Sequence, residues 1–364
     1  MLPYYTPVLI STVSLVLVWV GNARAERVAV LWATLLSVTI IGLRGNVDID
    51  YQGYLDEYLA IPLKFDFDAV RLQYGEILYN LLSGVFRTMG FQYAGLLFVM
   101  ASFALGIKAF LMLKLCKAPF TALAIYVCIA FIETEMITVR WALASSLLLL
   151  SVYLVYSRKF LPAIGTYLGA VGFHSFAAIY VLVVPLLFAR RDRTLYGVTL
   201  GALVAGLFLP MAEINQLFLL ADGDGYSLQK MQRYTQDGMN VIGLFSVLKV
   251  LFLLVIWKGA DVLGRPGEWR ASPAVRNMLR PAVAFLAVSL LFVKYKVFYY
   301  RAAVFVDFYL ILLAANAVQD AFRTNRKILI FSTVLLMFIV WSIMDVRNHA
   351  ASGYIRNYEL APLF

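Results

Sequence analysis

The stretch PFTALAIYVCIAFIETEMITVRWALASSLLLLSVYLVY, residues 119–156, consists of two long apolar runs separated by a short polar segment. An apolar run of about 20 residues can cross the hydrocarbon core of a bilayer as a helix. The two runs therefore predict membrane-spanning helices at about 119–135 and 138–157. The charged residues near the junction are Glu133, Glu135 and Arg140, and we expect them at a membrane face.

Similar apolar runs recur along the whole chain, which is 62% hydrophobic and only 14% charged. Soluble domains carry about 25% charged residues, so this composition excludes a sizeable soluble domain. Because backbone in lipid must satisfy its own hydrogen bonds, we predict an all-α polytopic membrane protein with about 10–12 transmembrane helices. We expect residues 1–364 to form a single integral membrane domain. The candidate spans lie at about 5–21, 26–43, 93–113, 119–135, 138–157, 195–213, 241–257, 279–293, 299–318 and 328–343.

Two further segments do not match simple spans. Residues 73–90 carry polar residues at both ends, and they could cross the membrane, lie flat on it or dip partly into it. Residues 160–189 are too long for one untilted helix and are interrupted by Gly172, His174 and Ser175. They predict two short half-helices that meet at His174.

The net charge of +10 comes from Lys and Arg residues in short clusters between the apolar runs. This distribution follows the positive-inside rule of membrane proteins and argues against a nucleic-acid partner. All the clusters can lie in the cytoplasm if 73–90 does not cross fully and 160–189 forms a hairpin, which places both termini outside. The clusters contain Arg24 and Arg27; Lys114 and Lys117; Arg158 and Lys159; Arg190, Arg191 and Arg193; Lys258, Arg265, Arg270 and Arg276; and Arg323, Arg326 and Lys327.

This topology places most acidic residues at the outer face, where we expect any chemistry to take place. The outer loops 44–72 and 221–240 are therefore predicted to contribute to an active site. Within the first loop, RGNVDIDYQGYLDEY interleaves acids with tyrosines. A carboxylate such as Asp48 or Asp50 could deprotonate a hydroxyl group, and a tyrosine such as Tyr51 suits carbohydrate. An ordinary solvated acidic loop is the alternative.

Two residues near the outer face are candidates for catalysis. The planar guanidinium of Arg140 could bind a phosphate by paired hydrogen bonds, with Glu133 and Glu135 holding it in position. A simple anchor at the membrane interface is the alternative for Arg140. His174 lies at the predicted break, where an imidazole could shuttle a proton or bond a sugar or phosphate. A histidine bonded to a neighbouring helix is the other interpretation.

A second cationic group lies near the start of a late apolar helix. Arg301 follows the residues KVFYY, and Lys294 lies just before them. This arrangement predicts an aromatic-lined pocket for an anionic ligand, with a sugar stacked on Tyr300. An interfacial belt of aromatic and basic residues is the alternative.

The outer loop 221–240 has the composition of a mobile segment. Gly223 and Gly225 alternate with aspartates there. We expect this loop to bring Arg233 and Tyr234 over a bound diphosphate.

No motif in the chain indicates a metal or a cofactor. Cys116 and Cys128 are the two cysteines, and Cys128 lies inside an apolar run, so a disulfide scaffold or cysteine metal site is not expected. The sequence has no phosphate-binding loop, dinucleotide fingerprint or metalloprotease motif. We therefore predict that neither a metal nor a cofactor takes part.

Short motifs occur in a fixed order over roughly residues 40–310: GNVDIDYQGY, YGEILYNLL, TVRWALA, GFHSFAA and YYRAAVFVDFYL. Together they resemble the EpsG-like branch of the Wzy-type polysaccharide polymerases. The chain departs from the family pattern where Ile77 and Leu78 follow Glu76 in place of proline and glycine. Trp141 also replaces a glutamine, and Phe176 precedes the usual alanine.

The resemblance implies a membrane fold similar to the GT-C glycosyltransferases and polymerisation of undecaprenyl-diphosphate-linked oligosaccharide repeat units. The reaction would be a metal-independent glycosyl transfer at the outer face of the bacterial inner membrane. Its partners would be the lipid-linked donor and acceptor, membrane lipids, a chain-length regulator and a flippase. The expected catalytic residues are Asp50, His174 and Arg140. The expected substrate-binding residues are Asp48, Tyr51, Glu76, Arg233, Tyr234, Lys294, Tyr300 and Arg301.

Other classes of membrane protein remain as alternatives. An O-antigen ligase-like enzyme would transfer the glycan to the core of lipid A. An acyltransferase would need a cytoplasmic acyl donor and a histidine on the cytoplasmic side. The outward placement of His174 argues against this class. An outward-facing transporter of anions or lipid-linked sugars predicts internal inverted repeats, which the sequence does not show.

Overall fold

The computed structural model describes residues 2–20, 22–64, 66–68, 76–189, 192–208, 273–293, 296–321, 324–356, 358 and 360–361. These residues are mostly helical and contain no β-strand beyond isolated bridges that join Arg44 to Leu360 and Asp48 to Ile355. The prediction of an all-α polytopic membrane protein is confirmed.

The α-helices of the described residues are numbered here in chain order. They are α1 Thr6–Val20, α2 Ala23–Gly42, α3 Tyr51–Ala60, α4 Ile77–Thr88, α5 Tyr93–Leu115, α6 Pro119–Ala130, α7 Val139–Tyr156, α8 Phe160–Phe173, α9 Val183–Leu187, α10 Asp192–Phe208, α11 Pro273–Leu291, α12 Lys296–Ala321 and α13 Thr324–Ala351. Tighter or wider turns occur at Leu2–Tyr5 (3₁₀), Phe131–Ile137 (π-helical) and Ser175–Leu182 (3₁₀).

Among the described residues, seven helical segments are long and apolar enough to cross a membrane, and each matches a predicted span. They are Leu2–Trp19, Arg24–Gly42, Tyr93–Leu115, Pro119–Ile137, Val139–Tyr156, Tyr299–Asn316 and Asn325–Ala351. The predicted spans 195–213 and 279–293 coincide with shorter apolar helices, Thr194–Phe208 and Asn277–Leu291. The predicted span 241–257 and the outer loop 221–240 lie outside the described residues.

The chain divides into two compact units, residues 1–178 with 314–364 and residues 179–313. In the first unit, α7 packs against α5 and α8, α2 packs against α5, and α1 packs against α6 and α13. In the second unit, α11 packs against α9 and α10. The aromatic core of the second unit includes a stacked pair, Phe285 and Phe305, with ring centroids 4.4 Å apart. The single integral domain over 1–364 stays a prediction.

The segment 73–90 contributes one short helix. α4 has 12 residues and is about 18 Å long, which is less than the hydrocarbon thickness of about 30 Å. It is therefore too short to cross a bilayer alone, as the proposed topology requires. α4 packs closely on α8, because a Cβ atom added at Gly172 would lie 2.5 Å from the side chain of Leu78.

The helical conformation is interrupted at His174, as the sequence predicts. α8 ends at Phe173, His174 has extended backbone angles (φ −158°, ψ 111°), and a 3₁₀ helix begins at Ser175. The hydroxyl of Tyr167 donates a hydrogen bond of 2.7 Å to the carbonyl oxygen of Ala178, so the chain turns back beside α8. The break therefore brings His174 to the tip of this turn.

The loop after α2 is held by a buried ion pair and by the C-terminal tail. Nε of Arg44 lies 2.8 Å from Oδ2 of Asp48, and both side chains are fully buried. The tail pairs with the same loop: the Arg356 amide donates to Val47 and the Ala361 amide donates to Leu43. These contacts fix the start of α3.

We predict that Arg44→Met destabilises the protein by about 3–5 kcal/mol, because the change leaves the Asp48 carboxylate buried without its partner. The measurement is denaturant unfolding of the detergent-purified protein. Arg27→Met, at an exposed arginine of α2, is the control and should leave the unfolding free energy almost unchanged. An equal loss in both variants would contradict the structural role of the pair.

Candidate active site

Arg140 is the centre of a cluster of charged and aromatic side chains in the first unit. It lies in the first turn of α7, directly after the backbone leaves its helical conformation at Thr138. The residue is buried, with 8% of its surface exposed. Its NH1 group donates a hydrogen bond of 2.7 Å to Oε2 of Glu76 and lies 3.5 Å from Oε2 of Glu57. One guanidinium thus faces two carboxylates.

The two carboxylates come from different helices. Glu76 immediately precedes α4, and its side chain makes no capping bond to that helix, so the carboxylate is directed to Arg140. Glu57 lies on α3 and is partly exposed. The expectation that Glu133 and Glu135 hold Arg140 was wrong. Glu135 pairs with Lys108, and Glu133 lies 3.5 Å from the Nε2 atom of His349.

Two tyrosine rings flank the guanidinium. Cζ of Arg140 lies 4.5 Å from the ring centroid of Tyr54 and 5.0 Å from that of Tyr79, which are cation–π distances. Burial raises the pKa of both Tyr54 and Tyr79, although the charge of Arg140 acts in the opposite direction. Both phenols therefore stay neutral near pH 7. The rings fix the plane of the guanidinium without neutralising its charge.

An aromatic layer holds α3 against α5. Tyr51 packs edge-on against Tyr93 at 5.3 Å, and Tyr58 lies 5.6 Å from the same ring. The hydroxyl of Tyr58 donates to the carbonyl oxygen of Phe91 at 2.6 Å. Because α3 is anchored in this way, it holds the side chains of Tyr54 and Glu57 in place beside Arg140.

His174 borders the same cluster. Its Nδ1 atom accepts a hydrogen bond of 3.3 Å from the amide of Phe176 and lies 3.9 Å from Oε1 of Glu76. The imidazole packs edge-on against Trp141, the residue after Arg140, with centroids 5.2 Å apart. An Nδ1 atom that accepts an amide hydrogen assigns the ring proton to Nε2. The helix interruption at His174 thus brings His174, Glu76 and Arg140 together.

Asp50 lies at the edge of the cluster and is half-buried. It precedes the first turn of α3, and its side chain makes no capping bond to that helix. Its backbone carbonyl oxygen accepts a hydrogen bond of 3.1 Å from the amide of Tyr54, whose ring contacts Arg140 directly. Asp50 is therefore a neighbour of the arginine cluster through one aromatic ring.

Two other residues that are predicted to bind substrate are enclosed by the protein. The Asp48 carboxylate is occupied by Arg44, and its Oδ1 atom accepts the amide of Asp50. Tyr51 is only 5% exposed and belongs to the aromatic layer. The C-terminal tail and α5 cover this part of the loop. The participation of both residues in substrate binding stays a prediction.

The remaining predicted residues do not belong to the first unit. Tyr300 and Arg301 lie in the first turns of α12, in the second unit, with Tyr300 56% exposed and Arg301 half-buried. The rings of Tyr299 and Tyr300 meet edge-on at 5.8 Å. Arg233, Tyr234 and Lys294 lie outside the described residues. The participation of all five in substrate binding stays a prediction.

Glu57 is one of the site residues that the sequence reasoning missed, together with Tyr54 and Tyr79. It follows Tyr54 by three positions on one helix, so both side chains project from the same face. That spacing was the available signal. Within the described part of the chain, no group of three His, Cys, Asp or Glu residues has the geometry to hold a metal ion.

We predict that Glu76→Gln lowers the unfolding free energy by about 1.5–3 kcal/mol, since it removes a charge-assisted hydrogen bond from buried Arg140. Glu57→Gln should cost less, because its carboxylate is 3.5 Å away and partly exposed. Denaturant unfolding of the purified variants provides the measurement. If Glu57→Gln costs more than Glu76→Gln, Glu76 is not the main partner.

The comparisons with known proteins agree with this arrangement of motifs. A search of curated proteins and a search of solved structures give no match to the chain. The family model described as the EpsG family matches residues 27–360, which is nearly the whole chain and includes every residue of the arginine cluster. The chain therefore belongs to the EpsG family of Wzy-like polysaccharide polymerases.

Proposed function

We propose that this polysaccharide polymerase joins undecaprenyl-diphosphate-linked oligosaccharide repeat units by metal-independent glycosyl transfer at the outer face of the bacterial inner membrane. The observation that carries the proposal is the Arg140 cluster. It holds a buried guanidinium against Glu76 and Glu57, between the rings of Tyr54 and Tyr79 and beside His174. The lipid-linked donor and acceptor are the substrates, and a chain-length regulator and a flippase are the partners.

Arg140 stabilises the leaving group in this proposal. When the anomeric C–O bond of the donor breaks, negative charge develops on the diphosphate of the carrier. A planar guanidinium matches phosphate oxygens by paired hydrogen bonds, and a fixed cation in a water-poor site stabilises the developing charge most effectively. Glu76 and Glu57 both approach Nη1 of Arg140. In the proposed reaction, the remaining nitrogens of the guanidinium fork bind the diphosphate.

Asp50 and His174 act on the acceptor. The acceptor hydroxyl attacks the anomeric carbon and loses its proton, which a carboxylate can accept. Nδ1 of His174 already accepts the Phe176 amide, so His174 acts as a hydrogen-bond donor from Nε2. We therefore assign the base to Asp50, next to Tyr54, and assign to His174 the orientation of a sugar or phosphate oxygen.

A lipid-linked substrate also needs a surface for its polyprenyl tail. A shallow apolar groove opens on the first unit between α5 and α7. One of its residues, Leu150, follows Arg140 by ten positions on α7, which corresponds to about 15 Å along the helix axis. A tail in this groove extends along the bilayer normal while its diphosphate stays at Arg140. The groove is lined by Ser102, Phe103, Gly106, Ile107, Phe110 and Leu150.

The two ends of α7 support the proposed outward orientation of the site. Arg140 lies in the first turn of this helix, whereas Arg158 and Lys159 follow its last turn and are exposed. Short connections with basic residues stay on the cytoplasmic side. The opposite end of α7, with the arginine cluster, then faces outward, where surface polysaccharide is assembled.

We predict that Arg140→Lys loses most polymerase activity although the positive charge is kept. The loss of one or two charge-assisted hydrogen bonds, at about 1.5–3 kcal/mol each, slows turnover about tenfold at the least and about 10⁴-fold at the most. The measurement is the length distribution of surface glycan, normalised to immunoblotted protein, in a deletion strain that carries each variant.

Arg87→Lys is the matched control for this experiment. Arg87 also lies over a tyrosine ring, that of Tyr58 at 5.7 Å, but its Nε atom donates to the carbonyl oxygen of Ile61 instead of a carboxylate. The control should make normal glycan. Full-length glycan from Arg140→Lys at normal protein levels would reduce Arg140 to an anchor at the interface.

The orientation has its own test by cysteine labelling. Glu133 and Lys159 are exposed and lie beyond opposite ends of α7. In a Cys116→Ala background, Glu133→Cys should react with a membrane-impermeant maleimide in intact cells. Lys159→Cys should react only after the membrane is permeabilised. The reverse pattern would place the arginine cluster in the cytoplasm and rule out the outer-face reaction.

A further inference from the structure

A second buried ion pair, between Lys108 and Glu135, lies in the first unit outside the arginine cluster. Nζ of Lys108 on α5 lies 2.6 Å from Oε1 of Glu135, and the two side chains are 0% and 1% exposed. The hydroxyl of Tyr126 on α6 donates to the same carboxylate oxygen at 2.6 Å. The three side chains form a compact polar network inside otherwise apolar helices.

Packing alone does not explain this network. Removing two charges from water costs several kcal/mol for each ion, and well-packed apolar residues of the same volume often stabilise a protein equally or better. A buried ion pair therefore contributes mainly through the direction of its hydrogen bonds.

Lys108 bonds to both sides of the helix interruption at Thr138, between the π-helical turn and α7. Glu135 lies in the π-helical turn Phe131–Ile137, which ends just before Thr138. Nζ of Lys108 also donates to the carbonyl oxygen of Ala142, in the first turn of α7, at 3.2 Å. One ammonium group thus bonds to the backbone that follows the break and to a side chain that precedes it. These contacts fix the angle at which α7 begins.

The same turn of α7 carries Arg140. Ala142 follows Arg140 by two positions, and the Ala142 amide donates to Thr138 at 2.8 Å, so the three residues move as one turn. The guanidinium meets Glu76 at 2.7 Å and two aromatic rings only if this turn keeps its direction. A small rotation at the break would move the end of so long a side chain by about 1 Å or more, and a 1 Å displacement can cost about 100-fold in rate.

We infer that Lys108 and Glu135, supported by Tyr126, are positioning residues for the polymerase reaction: they aim Arg140 by fixing the break before α7. The inference rests on the proposed role of Arg140. It differs from a general contribution to stability because it requires that the effect of the network pass through Arg140.

A double-mutant cycle on activity separates these two explanations. The variants are Lys108→Met/Glu135→Gln, which removes both charges and leaves none buried without a partner, Arg140→Lys, and the combination. Glycan length and amount are measured in the deletion strain and normalised to immunoblotted protein. We expect the network variant to lose about tenfold to 100-fold in activity, and the combination to be no worse than Arg140→Lys alone.

Two outcomes would overturn the inference. The first is full activity in the network variant at normal protein levels. The second is multiplication of the two losses in the combination, which would show that the network acts elsewhere. If Arg140→Lys alone is fully active, the proposed function of Arg140 fails instead, and the cycle reveals that separately.

A milder variant covers the case in which the network variant does not accumulate in the membrane. Tyr126→Phe deletes a single oxygen that bonds to Glu135, and it then replaces the network variant in the same cycle. We expect a several-fold loss that disappears in the Arg140→Lys background. Tyr358→Phe is its matched control, because that hydroxyl donates at 2.6 Å to Ile40, far along the chain from the break. Equal losses from Tyr126→Phe and Tyr358→Phe would overturn the inference.

Discussion

A charged side chain among apolar helices must be paired, because an unpaired charge in a low-dielectric interior is far more costly than any packing gain. In the first unit this requirement determines which segments meet. A loop closes over a buried arginine, α5 is joined to a π-helical turn, and the short helices α3 and α4 approach the start of α7. The pairs responsible are Arg44 with Asp48, Lys108 with Glu135, and Arg140 with Glu76.

These pairs differ in their access to solvent, and the difference separates structure from chemistry. The first two have side chains that are at most 1% exposed, whereas the Arg140 side chain is 10% exposed and its partner Glu57 is 30% exposed. A sealed pair acts only through the backbone that it holds in place. A pair at the rim can also contact a ligand, which is the role proposed for Arg140.

Much of the membrane architecture was predictable because lipid leaves the backbone few alternatives. The helical segments at the apolar runs 93–113, 119–135 and 138–157 have bounds close to the predicted ones. The helix before His174 ends where the sequence predicts an interruption. The partner of Arg140 was not predictable in the same way. Glu133 and Glu135 are near in sequence, but the π-helical turn directs Glu135 to Lys108, and Glu76 arrives from 64 positions away.

The sequence alone determined that this chain is an all-α membrane protein, that its basic connections favour one orientation, and that its motifs belong to a polysaccharide polymerase family. Those properties depend on composition, on spacing along one helix and on short motifs. Only the tertiary structure decided that Asp48 and Tyr51 are enclosed and that Glu57 joins the site. It also decided that Lys108 spans the break before α7. The physical reason is that partner choice for a buried charge depends on which helix ends meet in space, and no local pattern encodes that meeting.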